Sequence, residues 1–271
     1  ETKTSRTAAY TCFSRACATR EKDPHFRGPD RLAEVILPAP ARLLLNITPL
    51  RKMFMRKLFP LGIYEYVLAR TKVMDDAFLD ALKAEYPQIV LLGAGFDTRA
   101  LRFAAHNKGT KIFELDVPVT QEPKVEIFRK RGLAIPPELT FVPINFDRED
   151  IFTVLIAAGF REGQLTLFLW EGVSMYLSAE AVNDTLEFIR AHSAPGSRVV
   201  FDYIYASVLR QENRFYGERE IFKTVSTAGE GWTFGLEDDE IGPFLTTRGF
   251  KIIAHHTSPE LERLYLTAED G

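Results

Sequence analysis

The apolar run Ile89-Val90-Leu91-Leu92 ends on Gly93-Ala94-Gly95 and passes at once into Phe96-Asp97-Thr98-Arg99-Ala100-Leu101-Arg102-Phe103. A backbone that leaves a strand and turns immediately into a helix needs conformations that glycine adopts most readily, so this stretch predicts a strand, a tight turn and a helix start. Four further apolar runs follow, at 111–115, 140–144, 165–169 and 198–203, with helical stretches at 99–106, 120–131, 151–158 and 179–192 between them. Strand and helix in alternation imply a parallel sheet with helices on both faces. Near the end, 250–256 and 263–267 read as two strands with a short link containing Pro259, the pattern of an antiparallel edge hairpin.

Residues 1–86 have a different texture. They are helical and irregular, with Val73, Ala77, Phe78 and Leu82 spaced to form one helix face before Pro87 stops it, and they predict a helical cap packed on a core spanning 87–271. An insertion at about 204–242, rich in Arg and aromatic residues, is placed to cover a pocket as a lid. The chain of 271 residues carries a formal net charge of −3, which lacks the basic footprint of a nucleic-acid binder. Cys12 and Cys17 have no second pair to complete a zinc site, so no metal is expected and both read as free thiols. No apolar stretch is long enough for a membrane span, and the expected location is the cytoplasm. The oligomeric state is left open.

In an open parallel sheet, ligands sit beyond the carboxyl ends of the strands. A dinucleotide site wants a third glycine where this chain has Thr98, and Asp97 in the first helical turn would repel a pyrophosphate. That weighs against a nicotinamide dehydrogenase. A ligand with a ribose and a cationic amino-acid tail, such as S-adenosylmethionine, fits better: the glycines admit close backbone approach, and Glu114 or Asp116 lies about 20 residues on, where an acid can bond ribose hydroxyls. Strand alternation sends both acids to the same face, so period alone does not separate them.

LLGAGFDTRALRF, FELDVPVTQEPK, FVPINFDRED and LWEGVSMYLS occur in that order, each closing a predicted strand. Together with Ala69-Arg70-Thr71, DPHFRGPDRLAE and Val200-Phe201-Asp202-Tyr203 they resemble the leucine carboxyl methyltransferase family, including the related small-molecule O-methyltransferases of polyketide biosynthesis. The resemblance implies a seven-stranded Rossmann-like methyltransferase sheet, mostly parallel with the C-terminal hairpin, and S-adenosylmethionine as cofactor. It also implies roles. Arg70 would hold the cofactor's carboxylate, Gly93 and Gly95 would accommodate its methionine portion, Asp116 would take the ribose, and Glu171 would lie near the ammonium. Asn145 and Phe146 would flank the adenine; Asn145 departs from the family, which usually has Asp there.

Methyl transfer to oxygen depends on alignment of acceptor, methyl and sulfur, and a carboxylate acceptor, already ionised at neutral pH, needs no base. The expected substrate is a small molecule with a carboxylate as the leading acceptor; alternatives are a protein C-terminal carboxyl group, or a cofactor-binding module without catalysis. Tyr176 and Tyr203 are candidate substrate contacts, and no histidine is assigned as a base. Arg210, Arg214 and Arg219 read as solvated helix residues. ARLLLNITPLRKMFMRKLFPLGIYEYV mixes basic and large apolar residues, interrupted by Pro49 and Pro60, and reads as cap packing or a greasy channel before a membrane-touching helix.

Overall fold

The computed structural model describes residues 6–24, 26–59, 62–146, 148–228 and 231–267. His25, Pro60 and residues 229–230 of the insertion lie outside the described residues. Every element before the first strand is a helix: α1 (Arg6–Ala18), α2 (Arg31–Ile36), α3 (Ala39–Asn46), α4 (Thr48–Leu58) and α5 (Ile63–Lys83). Asp30 caps α2, its carboxylate accepting from the Ala33 amide, while proline stands in the first turn of both α3 and α4, where a missing N–H costs nothing.

Strand and helix then alternate through β1 (Gln88–Leu92), α6 (Arg99–Arg102), β2 (Lys111–Asp116), α7 (Pro118–Lys130), β3 (Leu139–Pro143), α8 (Ile151–Ala157), β4 (Thr166–Trp170), α9 (Ala179–His192) and β5 (Arg198–Phe201). All four pairings are parallel and the strand order is β3-β2-β1-β4-β5. Every residue of β1 and of β4 is buried, as expected of central strands covered on both faces. On one face Val90, Phe113, Phe168 and Trp170 pack with α8 and α9; on the other Ile89, Leu91, Ile112 and Leu167 meet Met74, Phe78 and Leu82 of α5. A third cluster joins α1, α2 and α3 to Phe96 and Phe128. Because β2 lies to one side of β1 and β4 to the other, the strand order reverses at β1, and a crevice opens beyond its carboxyl end.

The end of the chain corrects the expectation. After α10 (Ala206–Leu209), α11 (Glu218–Ala228) and α12 (Ile241–Thr246) comes α13 (Ser258–Tyr265), so the sheet among the described residues has five strands and no antiparallel hairpin. Residues 250–256 form no strand, and most of 263–267 belongs to a helix. Local chemistry explains the difference. Thr257 caps α13, Glu260 reaches back to the Thr257 amide at 2.7 Å, and Pro259 occupies the first turn, which together make a helix start stronger than the apolar alternation that suggested a strand. The stretch expected as one helix at 99–106 is likewise α6 followed by a separate 3-10 turn at Ala104–His106. Among the described residues no helix is long and apolar enough to cross a membrane.

Candidate active site

Gly93 and Gly95 sit at the tip of β1 with φ of +67° and +50°. A Cβ on Gly93 would come within 2.5 Å of Val173 Cγ2, so the close approach of the β4 loop, as well as the dihedral, demands glycine there. The Ala94 amide donates to Leu115 O at 2.9 Å and the Gly95 amide to the Asp116 carboxylate, tying the turn to the tip of β2. Asp116 also accepts from the Val117 amide at 2.7 Å and faces a cavity of about 1010 Å³.

The structure separates the two acids of β2. Glu114 is fully buried beneath α7, paired with the equally buried Lys124, whose ammonium lies over the rings of Phe128 and Phe141. Burial pushes the Glu114 carboxyl up to about 7 although Lys124 pulls the other way. It does not line the cavity; Asp116 does.

Beneath the turn runs a chain of guanidinium and carboxylate groups. Arg70, on α5, donates from Nε to Glu171 at 3.0 Å and from Nη1 to Asp202 at 2.9 Å. Arg99, at the start of α6, bonds Glu171 at 2.8 Å, Asp75 at 2.7 Å and Asp97. Asp75 in turn accepts from Arg102, while Arg15 of α1 pairs with Asp30 at 2.9 Å and donates to Phe96 O at 2.6 Å. Burial alone would raise the Glu171 carboxyl, but Arg99, Arg70 and Arg15 outweigh it and hold the group below its ordinary value. Asp97 is likewise desolvated, yet Arg99 and Lys124 bring it down to about 2. Both acids are therefore ionised at neutral pH. Arg70 also lines the cavity.

Asp202, one residue beyond β5, holds this chain in place. Its carboxylate accepts from Tyr66 Oη at 2.6 Å, from Arg70, and from the Gly172 amide at 2.6 Å. Sequence reasoning placed Asp202 and Arg99 in motifs without giving them a task, and it gave Arg15 and Tyr66 no role. The signal for Asp202 was present: it stands at the tip of β5 as Glu171 stands at the tip of β4.

Across from the charged floor the cavity wall is aromatic, with Phe59, Tyr176, Tyr203, Tyr205, Phe215 and Trp232 among its lining. Tyr205 stacks on Phe215 with centroids 4.8 Å apart and meets Tyr203 edge to face. Burial raises the Tyr203 phenol to about 12, and its Oη lies 3.0 Å from His255 Nε2. Trp232 Nε1 is enclosed with no hydrogen-bond partner. Asn145 and Phe146 line the cavity just past β3, half-buried, with the Asn145 amide donating to Glu149 at 2.7 Å. All nine residues singled out from the sequence thus border one cavity. Arg210 and Arg214 instead pair with exposed Glu212, and Arg219 is exposed outside it. His192 stacks on Phe152 beside Glu162, away from the cavity. Among the described residues no cluster of His, Cys, Asp and Glu could hold a metal ion.

A parallel sheet with a glycine turn at its switch point and acids on the neighbouring strand tips defines the pocket of a Rossmann-like methyltransferase. Similar proteins agree. A protein of Mycobacterium marinum, named by inference an S-adenosyl-L-methionine-dependent methyltransferase, is 31% identical over 94% of this chain and 82% of its own. One from Frankia alni with the same kind of name is 33% identical over 87% of this chain and 79% of its own, and one from Bacillus subtilis is 28% identical over 74% and 66%. Two solved structures share the fold: a DUF574 family protein from Streptomyces avermitilis (TM-score 0.54, 13% identity, 90% of this chain and 83% of that one) and an O-methyltransferase family protein from Burkholderia thailandensis (TM-score 0.50, 12% identity, 86% and 70%). The family model for leucine carboxyl methyltransferases matches residues 8–190, and the chain belongs to that family. It is an S-adenosylmethionine-dependent methyltransferase.

Proposed function

We propose that this enzyme methylates an oxygen of a small, flat, largely apolar molecule, with a carboxylate as the acceptor. The observation that carries the reading is the division of one cavity into a charged floor and an aromatic wall. Its volume, about 1010 Å³, lies at the upper end of ligand pockets and leaves room for a cofactor and an acceptor side by side.

The floor suits S-adenosylmethionine. Arg70 would take the cofactor's carboxylate, Glu171 its ammonium, and Asp116 the ribose hydroxyls, with Asn145 and Phe146 beside the adenine. Gly93 and Gly95 leave the space a side chain would fill. The chain of ion pairs contains Arg15, Arg70, Arg99 and Arg102 against Asp30, Asp75, Asp97, Glu171 and Asp202, one carboxylate more than guanidiniums. That surplus complements a ligand whose sulfonium and ammonium outnumber its single carboxylate. When bound, the cofactor supplies an electrophilic methyl group on a sulfonium.

The protein's own contribution is alignment and exclusion of water, worth on the order of 7–11 kcal/mol when reacting atoms are well placed. A carboxylate acceptor is supported by the protonation of the lining. Asp97, Asp116, Glu171 and Glu218 are each engaged by guanidiniums or backbone amides. Burial holds Tyr66 and Tyr203 in the phenol form. An acceptor already ionised asks for none of them as a base.

Incubation with methyl-labelled cofactor and a panel of aromatic and polyketide-like carboxylic acids, phenols and a leucine-ending peptide tests this. The expected product is a base-labile ester of a small acid. A base-stable ether or a labelled peptide would replace the acceptor assignment, and no transfer to any oxygen would end the O-methyltransferase reading.

A further inference from the structure

Among the described residues that line the cavity, Glu218 is the only charged side chain outside the floor and the tip of β2. It opens α11 and is 4% exposed. A carboxylate so far out of water needs partners. It finds them in three successive backbone amides: Oε1 accepts from Asn213 at 3.0 Å, and Oε2 from Arg214 at 2.7 Å and Phe215 at 2.9 Å. Asn213 has a φ of +54°, and the amides around this left-handed residue converge on one carboxylate, as in a backbone nest that holds an anion. Glu218 fills that nest from within the chain.

The turn so formed carries two rings of the cavity wall. Phe215, inside it, stacks on Tyr205 with centroids 4.8 Å apart, and Tyr205 is itself fixed by a bridge to Leu236. Tyr216, next along, is 77% exposed and stands at the cavity rim against Gly62, where an added Cβ would come within 3.4 Å of its ring. Gly62 immediately precedes α5, so the turn reaches across to the start of that helix by ring contact. Three hydrogen bonds to a charged group outweigh a single ring contact, and the backbone that Glu218 gathers therefore decides where both rings stand.

We propose, resting on the aromatic half as the acceptor's place, that Glu218 is a positioning residue that sets acceptor specificity. By folding 213–217 it stands Phe215 and Tyr216 beside the acceptor, so that flat acids are admitted and globular acids of similar size are refused. Its oxygens face the amides, and it acts through the two rings and not on the reacting atoms.

Two probes test the proposal: 2-naphthoate, a flat acid, and 1-adamantanecarboxylate, a globular one, each titrated by calorimetry into the whole chain saturated with S-adenosylhomocysteine. The unchanged protein should prefer the naphthoate. Glu218→Ala should lower that preference about tenfold by releasing the rings, and Glu218→Gln, which keeps one accepting oxygen, by less. Tyr216→Ala should lower it too, and the double change Glu218→Ala with Tyr216→Ala should cost less than the sum of the two, since both remove the same ring from its place. Amide exchange at 213–215 should speed up in Glu218→Ala. Arg219→Ala, at an exposed neighbouring position outside the cavity, should change none of these. Retained S-adenosylhomocysteine affinity in each variant shows that the fold and the cofactor half persist; should Glu218→Ala not fold, Glu218→Gln and Tyr216→Ala decide the matter. A preference unchanged in the Glu218 variants, a preference lost only together with cofactor affinity, or no preference in the unchanged protein would overturn the proposal. Whether the methyl group goes to a carboxylate is decided separately by the labelled transfer, so the two readings fail independently.

Discussion

The floor of the cavity and the wall facing it are built from opposite materials. Under the glycine turn, guanidiniums and carboxylates from α1, α5, α6 and the tips of β4 and β5 hold one another at hydrogen-bond distance, mostly out of water. Across from them, Tyr203, Tyr205 and Phe215 meet by stacking and edge contacts, with few directed bonds. A buried charge is tolerated only when its partners are placed well, so the floor has one workable arrangement. Aromatic packing is less directional and accepts changes of shape. The contrast teaches a division of labour: the rigid half suits a charged ligand of fixed shape, and the adaptable half suits an apolar one.

The sharpest break in that contrast is Arg99→Met. It would strand Asp75, Asp97 and Glu171 without a shared cation, and stability to urea should fall by about 3–5 kcal/mol; a loss near that of a surface change would mean the chain of ion pairs is not a unit. Asp116→Ala comes next. Its carboxylate lies at the edge of the floor, so the protein should stay folded while cofactor affinity, by calorimetric titration, drops about tenfold to a hundredfold through lost charged hydrogen bonds. Affinity unchanged would remove Asp116 from the cofactor site.

Acid provides a third test. Asp97 is depressed from 3.8 to about 2 in the folded protein, so its contribution is present in full above the unfolded value and is lost as pH falls through the folded one. Stability should therefore decline between about pH 5 and 2, by up to about 2 kcal/mol from this group, and Asp97→Asn should flatten that limb. A limb of the same steepness in the variant would assign it to other acids. The smallest effect is expected on the adaptable side: Tyr176→Phe keeps the ring and removes the hydroxyl, and KM for the acceptor should rise about five- to tenfold with cofactor affinity unchanged. A matching loss of cofactor affinity would show that the two halves are not separate.

Much of the rigid half was legible along the chain. Gly93 and Gly95 at a strand end and an acid on the next strand follow from the period of β-strands and from the place where such sheets bind ligands, while Glu171 is named by the family resemblance. Choosing Asp116 over Glu114 was not legible from period, because both point the same way; the family pattern named Asp116, and α7, by placing Lys124 over Glu114, is what excludes the latter from the cavity. Asp202 is similar: its motif is visible, but its task arises from Tyr66, Arg70 and Gly172, which come from three distant parts of the chain. The edge hairpin was misread because apolar alternation at 250–256 outweighed the Thr-x-x-Glu cap that follows it, although that cap is written just as plainly.

By itself, then, the order of residues determined the alternation of strand and helix, the site of the sharp turn, and which strand tips carry acids, since these depend on local dihedrals and short periodicities. Tertiary structure decided which acid faces the ligand and which is neutralised underneath, how Arg70 and Arg99 share Glu171, and which amides Glu218 gathers. The physical reason is that electrostatic partnership and burial act through space between distant segments, 136 positions apart in the bond from Tyr66 to Asp202, and no local pattern encodes that distance.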